Sequence, residues 1–164
     1  MGLEINNQAR EELLAEVNGI SDEDLNRKPS EDRWSIKQVL EHLYLMEGAI
    51  TNNIRSQLVY GEVVNIADKP IELSVDRSRK VDAPKFVEPS EVFATLEELK
   101  QKLEATHNGL SELAGTSDER QLAEKGSPHP VFGQMSLKQW IPFVGYHEKR
   151  HTEQIKEVKE ELGL

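Results

Sequence analysis

Apolar positions recur at helical spacing in four stretches of the chain. The first runs from about Asn6 to Asn18, with Ala9, Leu13, Leu14 and Val17 on one face. Asn6 or Asn7 can cap it, and Gly19 can end it. The second begins at Ser35, where Ser35-Ile36-Lys37-Gln38 spells a capping box and Trp34 with Val39 a hydrophobic staple. It continues through Leu40, Leu43, Met46, Ile50 and Ile54 to about Tyr60, before Gly61. The third spans about Ser90 to Leu113. Leu96, Leu99, Leu103, Thr106, Leu110 and Leu113 follow a bundle-seam spacing, and Gly115 can stop it. The fourth starts at Ser136, where Ser136-Leu137-Lys138-Gln139 repeats the capping box, and runs to Leu162. Pro142 lies within it and predicts a local kink.

The connections complete the picture. Gly61 to Pro89 is long, with weak strand-like alternation at Val63, Ile66, Ile71, Leu73 and Val75. A short turn would make its flanking helices antiparallel, whereas a link of this length lets the chain cross the bundle and run the third helix parallel to the second. Thr116 to Met135 carries Pro128, Pro130 and Gly133 and is expected to be irregular. The pattern therefore predicts an all-α fold: a four-helix bundle with a long crossover between helices two and three, in one domain covering residues 1–164.

Composition narrows the chemistry. There are 20 Lys and Arg against 30 Asp and Glu, a formal charge of −10. That balance argues against a nucleic-acid partner, which needs clustered basic residues, and against anionic membranes. The longest apolar stretch, Val39 to Ile50, is interrupted by Glu41, His42 and Glu47 and is too short to span a bilayer. Met1 to Arg10 lacks the pattern of a signal peptide, so a cytoplasmic location is expected. With no cysteine, disulfides, thiolate metal ligands and a Cys nucleophile are all excluded, and a metal site must use His, Asp or Glu.

The five histidines are the candidate chemistry. His147 and His151 are four apart, one above the other on a helix. At 100° per residue they share a stripe with Val144, Ile155 and Val158, while Lys149, Arg150, Gln154 and Lys156 lie off it. Both therefore face the core, where a neutral pair needs a partner, and a metal ion suits that spacing. His42 shares an inward stripe with Val39, Met46 and Ala49, and it sits at nearly the same phase from its cap as His147 does from Ser136. Three imidazoles with an open fourth position make a catalytic-type site, with zinc or nickel the expected ion. His107 reads as an ordinary edge residue. His129, between Pro128 and Pro130, is a loop constraint first and a substrate contact second.

Two motif matches fail on their remainder. His147-Glu148-Lys149-Arg150-His151 spells H-E-x-x-H, but Gln154 and Glu157 stand where the extended zinc-protease form needs Gly and His. Glu148-x-x-His151 is one copy of a di-iron element whose second copy is missing, because Val39 precedes His42 by three.

Three blocks together resemble the DinB-like family of four-helix-bundle proteins, which includes the YfiT-type proposed metal-dependent hydrolases. They are Trp34-Ser35 through His42-Leu43, then His129-Pro130-Val131-Phe132-Gly133 with Gln139-Trp140, then His147 through Ile155. Arg77 to Pro84 resembles the crossover segment. The resemblance covers effectively the whole chain. It implies a bundle with a long second connection, often a homodimer, and one divalent ion held by His42, His147 and His151. It also implies a small-molecule substrate. Family members include thiol-dependent transferases and isomerases that use a low-molecular-weight thiol, besides the proposed hydrolases. Within this frame Glu148 is the expected general base, although it lies 100° from His147 on the helix. His129, Tyr146 and Arg150 are the expected substrate contacts.

Overall fold

A computed structural model describes residues 3–79 and 81–164. Its four long helices are α1 (Glu4–Val17), α3 (Ile36–Tyr60), α4 (Leu96–Thr116) and α6 (Leu137–Leu162). Short helices α2 (Asp22–Asn26) and α5 (Glu119–Glu124) and a hairpin, β1 (Gly126–His129) with β2 (Gly133–Ser136), fill the connections.

The pairing of side chains gives the helix directions. The early part of α3, from Ile36 to Leu43, packs with Leu99 and Leu103 at the start of α4, while Ile50 and Ile54 pack with Leu110 and Leu113. Those two helices are therefore parallel, as the length of the connection predicts. On the other side, Asn6 Nδ2 donates to the Ile141 carbonyl (2.9 Å), Arg10 meets Glu148, and Lys159 meets Glu16, so α1 and α6 are also parallel. The two pairs run opposite to each other. At Gly145 a Cβ would lie 2.3 Å from Ile5 Cγ2, so the missing side chain lets α1 approach α6 closely.

Caps explain where the helices begin. Ser35 and Gln38 form the full capping box at α3. At α6 the Ser136 hydroxyl accepts the Gln139 amide, but the Gln139 side chain turns to the Lys69 backbone instead (2.7 and 2.9 Å). Only half of the second predicted box forms, and the spare side chain anchors the crossover. The third predicted helix starts at Leu96 rather than near Ser90, because Thr95 and Glu98 supply a capping box there. It runs through Gly115 to Thr116. Neither Asn6 nor Asn7 caps α1, which begins at Glu4; Asn6 is buried against α6.

Two connections differ from expectation. The alternation after Gly61 makes no strand; Ile71–Val75 is a 3-10 turn with Ile71 buried. The stretch expected to be irregular instead holds α5 and the hairpin. The hairpin closes at Gly133, whose φ of +72° suits glycine. It is pinned by Trp140 Nε1 donating to the Ser127 carbonyl (3.1 Å) and Asn53 Nδ2 donating to Ser127 Oγ (2.9 Å). α6 continues through Pro142 as one helix.

The core is divided. One apolar cluster gathers Ile50, Ile54, Leu110, Leu113, Ile141 and Val144; the other gathers Leu13, Val17, Leu40, Leu43, Leu103, Ile155 and Val158. On each helix the residues between these sets are polar: Arg10, Glu47, Thr106, and His147 through His151. This layer contains two of the site's three histidines, and His42 joins them from between Leu40 and Leu43. Among the described residues, no helix is long and apolar enough to cross a membrane.

Candidate metal centre

His42 comes from α3, His147 and His151 from successive turns of α6, and all three are buried. Their ligand nitrogens lie within 4.8 Å of one another. The Nε2 of His147 is 3.2 Å from the Nε2 of His42 and 3.2 Å from that of His151. Two of the rings are fixed from behind. His42 Nδ1–H donates to the Val87 carbonyl (2.9 Å), and His151 Nδ1–H donates to Gln154 Oε1 (2.7 Å). An oxygen of either kind only accepts, so each Nδ1 carries the proton and each Nε2 presents a lone pair.

The donor set fits a cation. His147 Nε2 carries at most one hydrogen, so it cannot satisfy both neighbours, and at least two lone pairs face each other across 3.2 Å. A divalent ion at their meeting point turns that conflict into coordination. Tetrahedral zinc with nitrogens at about 2.0–2.1 Å places them about 3.3 Å apart. The Val87 and Gln154 oxygens are the outer partners that orient such ligands.

Burial also sets the protonation state. It lowers the His42 imidazole below its usual range, opposed in part by the bond to Val87. It pushes His151 down to about 3 and His147 well below normal, with the neighbouring histidines adding to the effect. His129 falls to about 4 through burial alone. All four stay neutral in the fold near pH 7. An unfolded histidine takes up a proton near pH 6.5, so below that pH the unfolded chain binds more protons than the folded one. Metal-free protein is therefore expected to lose stability as pH falls from about 7 toward about 4. Each histidine in this window contributes a slope of up to about 1.4 kcal/mol per pH unit. Urea unfolding at a series of pH values measures the slope; a flat profile over that range would refute this account.

The other expected site residues are placed as follows. Glu148 points toward α1, and both its oxygens are taken by Arg10, through Nε (3.0 Å) and Nη2 (2.9 Å). Arg10 Nη2 also reaches Glu47 (3.0 Å), and Nη1 donates to the Leu103 carbonyl (2.7 Å). Glu47 further accepts from the Thr106 hydroxyl (2.6 Å). Burial pushes the Glu148 carboxyl up in spite of Arg10. Its place is thus a buried ion pair joining all four helices, in the direction to which its displacement of about 100° from His147 points. Arg150 donates to the carbonyls of Ser74, Asp76 and Arg79, holding the crossover against α6. Tyr146 is half-buried against the cluster of Ile141 and Val144. His107 sits at the edge of α4, its Nε2 bonded to Asn7 (2.9 Å).

Like His147, His129 packs on the aromatic side chain of Phe143. Its Nδ1 accepts the Val131 and Phe132 amides (3.0 and 3.2 Å), which closes the hairpin turn and forces the proton onto Nε2. The ring meets Phe143 edge-on at 4.5 Å, and Phe143 in turn lies 5.8 Å from His147. Arg10 and Glu47 were not evident as a pair from spacing. The available signal was a charge in phase with an apolar stripe: Glu47 falls on the line of Leu43, Ile50 and Ile54.

Fold and site together define a helical bundle whose two central helices present three converging histidines. The chain belongs to the DinB superfamily, whose family model matches residues 6–155. YuaE of Bacillus subtilis (strain 168) is 37% identical over 160 residues, 98% of each chain. Among solved structures, TT2238, a four-helix bundle protein, has a TM-score of 0.64 at 20% identity, covering 95% of this chain and 96% of its own. YfiT from Bacillus subtilis, described as a probable metal-dependent hydrolase with an unusual four-helix bundle topology, has a TM-score of 0.66 at 16% identity, covering 99% of this chain and 86% of its own.

Proposed function

We propose that this protein is a divalent-metal-dependent enzyme acting on a small molecule, with hydrolysis as the reaction and zinc as the ion. The convergence of three neutral Nε2 atoms, two of them locked from behind, carries this reading. When bound, such an ion supplies Lewis acidity, which lowers the pKa of a water or thiol that coordinates it. Three protein nitrogens leave room for that further ligand.

The chain's own groups would divide the remaining work. His42, His147 and His151 hold the ion, and Val87 and Gln154 keep their rings turned. His129 offers its Nε2–H, which has no hydrogen-bond partner among the described residues, to an oxygen of the substrate. Glu148, engaged by Arg10, holds the α6 backbone at His147 in place instead of moving a proton. Tyr146 and Arg150 shape the walls. The described structural relative YfiT supports hydrolysis by likeness of fold. Thiol transfer uses the same site, with the thiol arriving on a cofactor because the chain has no cysteine.

The test is to remove metal, reload zinc or nickel, and measure turnover on ester, amide and thiol-transfer panels. Hydrolysis that follows zinc content and stops on chelation is expected. Turnover only with an added low-molecular-weight thiol moves the assignment to transfer. Full zinc occupancy with no turnover on any panel moves it to a non-catalytic metal-containing binding module.

A further inference from the structure

The crossover between α3 and α4 is fastened to both histidine-bearing helices, and on each helix one of the fastenings uses the residue that immediately precedes a ligand histidine. On α6 this is Arg150, before His151, which gathers the carbonyls of Ser74, Asp76 and Arg79. On α3 it is Glu41, before His42. Its carboxylate accepts the Ser90 amide (2.9 Å) and the Ser90 hydroxyl (3.3 Å). Lys37, one turn earlier, donates to Glu41 (2.7 Å) and to the Ser90 carbonyl (3.0 Å). One ion pair thus takes both backbone groups of a single crossover residue.

This pair is buried, with Lys37 3% and Glu41 8% exposed. Placing two charges in a low-dielectric interior is costly, and an apolar pair of similar size serves stability as well or better. What an apolar pair cannot do is hold Ser90. Three residues before Ser90 lies Val87, whose carbonyl accepts the His42 Nδ1–H. We propose that Lys37 and Glu41 are positioning residues for the metal centre. They pin the crossover at Ser90, which seats the Val87 carbonyl behind His42 and keeps its Nε2 aimed at His147 and His151. Linkage is reciprocal, so metal binding in turn orders the crossover around residues 84–92. The inference rests on the proposed role of the three histidines as metal ligands.

The experiment compares wild type, Glu41→Leu and the double variant Lys37→Met with Glu41→Leu, in which no side chain at 41 can accept from Ser90. The double variant removes both charges together, leaves no unpaired buried ion and is expected to stay as stable as wild type. Zinc affinity is measured by competition with a chromophoric chelator, ligand geometry by the visible spectrum of the cobalt-loaded protein, and crossover order by hydrogen exchange. Zinc binding weakened about tenfold or more in both variants is expected, with an altered cobalt spectrum. Exchange in 84–92 should slow with zinc in wild type and respond less in the variants. Wild-type affinity and spectrum in a folded double variant would overturn the proposal and leave the metal site standing. Failure of wild type itself to bind zinc or cobalt would overturn both. If Glu41→Leu does not fold, the double variant alone decides.

Discussion

Replacing Arg10 with methionine is expected to destabilise the fold by about 3–5 kcal/mol, the range seen when one partner of a buried charge pair is removed. The guanidinium is the only cation hydrogen-bonded to two buried carboxylates, Glu47 and Glu148, among the described residues. Glu47 is 1% exposed. Burial opposes its ionisation, yet His107 beside it (3.7 Å) and the bonds from Arg10 and Thr106 hold it below the usual carboxylate range. Without Arg10 two negative groups share one dry space. For a domain of this size the loss corresponds to a fall in Tm of about 6–20 °C. The difference between the two proteins should also depend on pH. Both keep the neutral histidines, but in the variant the carboxyls are raised above their unfolded values and oppose the histidine-driven loss as pH falls. The destabilisation should therefore be smaller at pH 5 than at pH 7. Calorimetry at pH 7 and pH 5 on both proteins measures this. A change below about 1 kcal/mol at pH 7 would mean that water already reaches the cluster.

How much of this was legible in the sequence follows from what each feature depends on. The four long helices and the parallel crossover came from periodicity and connection length, both local in the chain. The three histidines were legible because each lies in phase with an apolar stripe, and phase is preserved when a helix packs. The surroundings of Glu148 were not legible for a related reason. Its phase correctly put it 100° from His147, but what fills that direction is Arg10, which is 138 residues away in sequence. The same limit applies to Gln139. Its spacing from Ser136 matches that of Gln38 from Ser35, yet Lys69 offers it a better pair of bonds than the helix terminus does. The hairpin was hidden because its strands are four residues each and hold Gly126, Pro128 and Gly133, residue types that normally mark irregular chain. A local pattern reveals which face a residue presents; it does not reveal what another helix brings to that face.

Such long-range partners also decide what a histidine substitution reports. His147→Ala is expected to abolish stoichiometric zinc binding, because His147 Nε2 stands 3.2 Å from both other ligands and is the only one that bridges them. In metal-free protein the same change should cost little relative to that loss. The truncation leaves a gap, but it also removes the facing lone pairs that a single proton cannot resolve. Wild type gains stability from any ligand that binds only the folded state, about 2.7 kcal/mol at a free zinc concentration 100 times Kd. That corresponds to a rise in Tm of about 5–11 °C for a chain of this length. The variant should show no such rise. Elemental analysis of the two proteins after loading, together with thermal scans with and without zinc, measures both effects. Equal zinc content in the two would remove the three histidines as the metal site, whatever turnover either protein showed. A variant that lost zinc but also unfolded without it would show instead that His147 is chiefly a packing residue. The ion pair of Arg10 and Glu148, about 100° around the helix from His147, holds α6 independently and is untouched by the change.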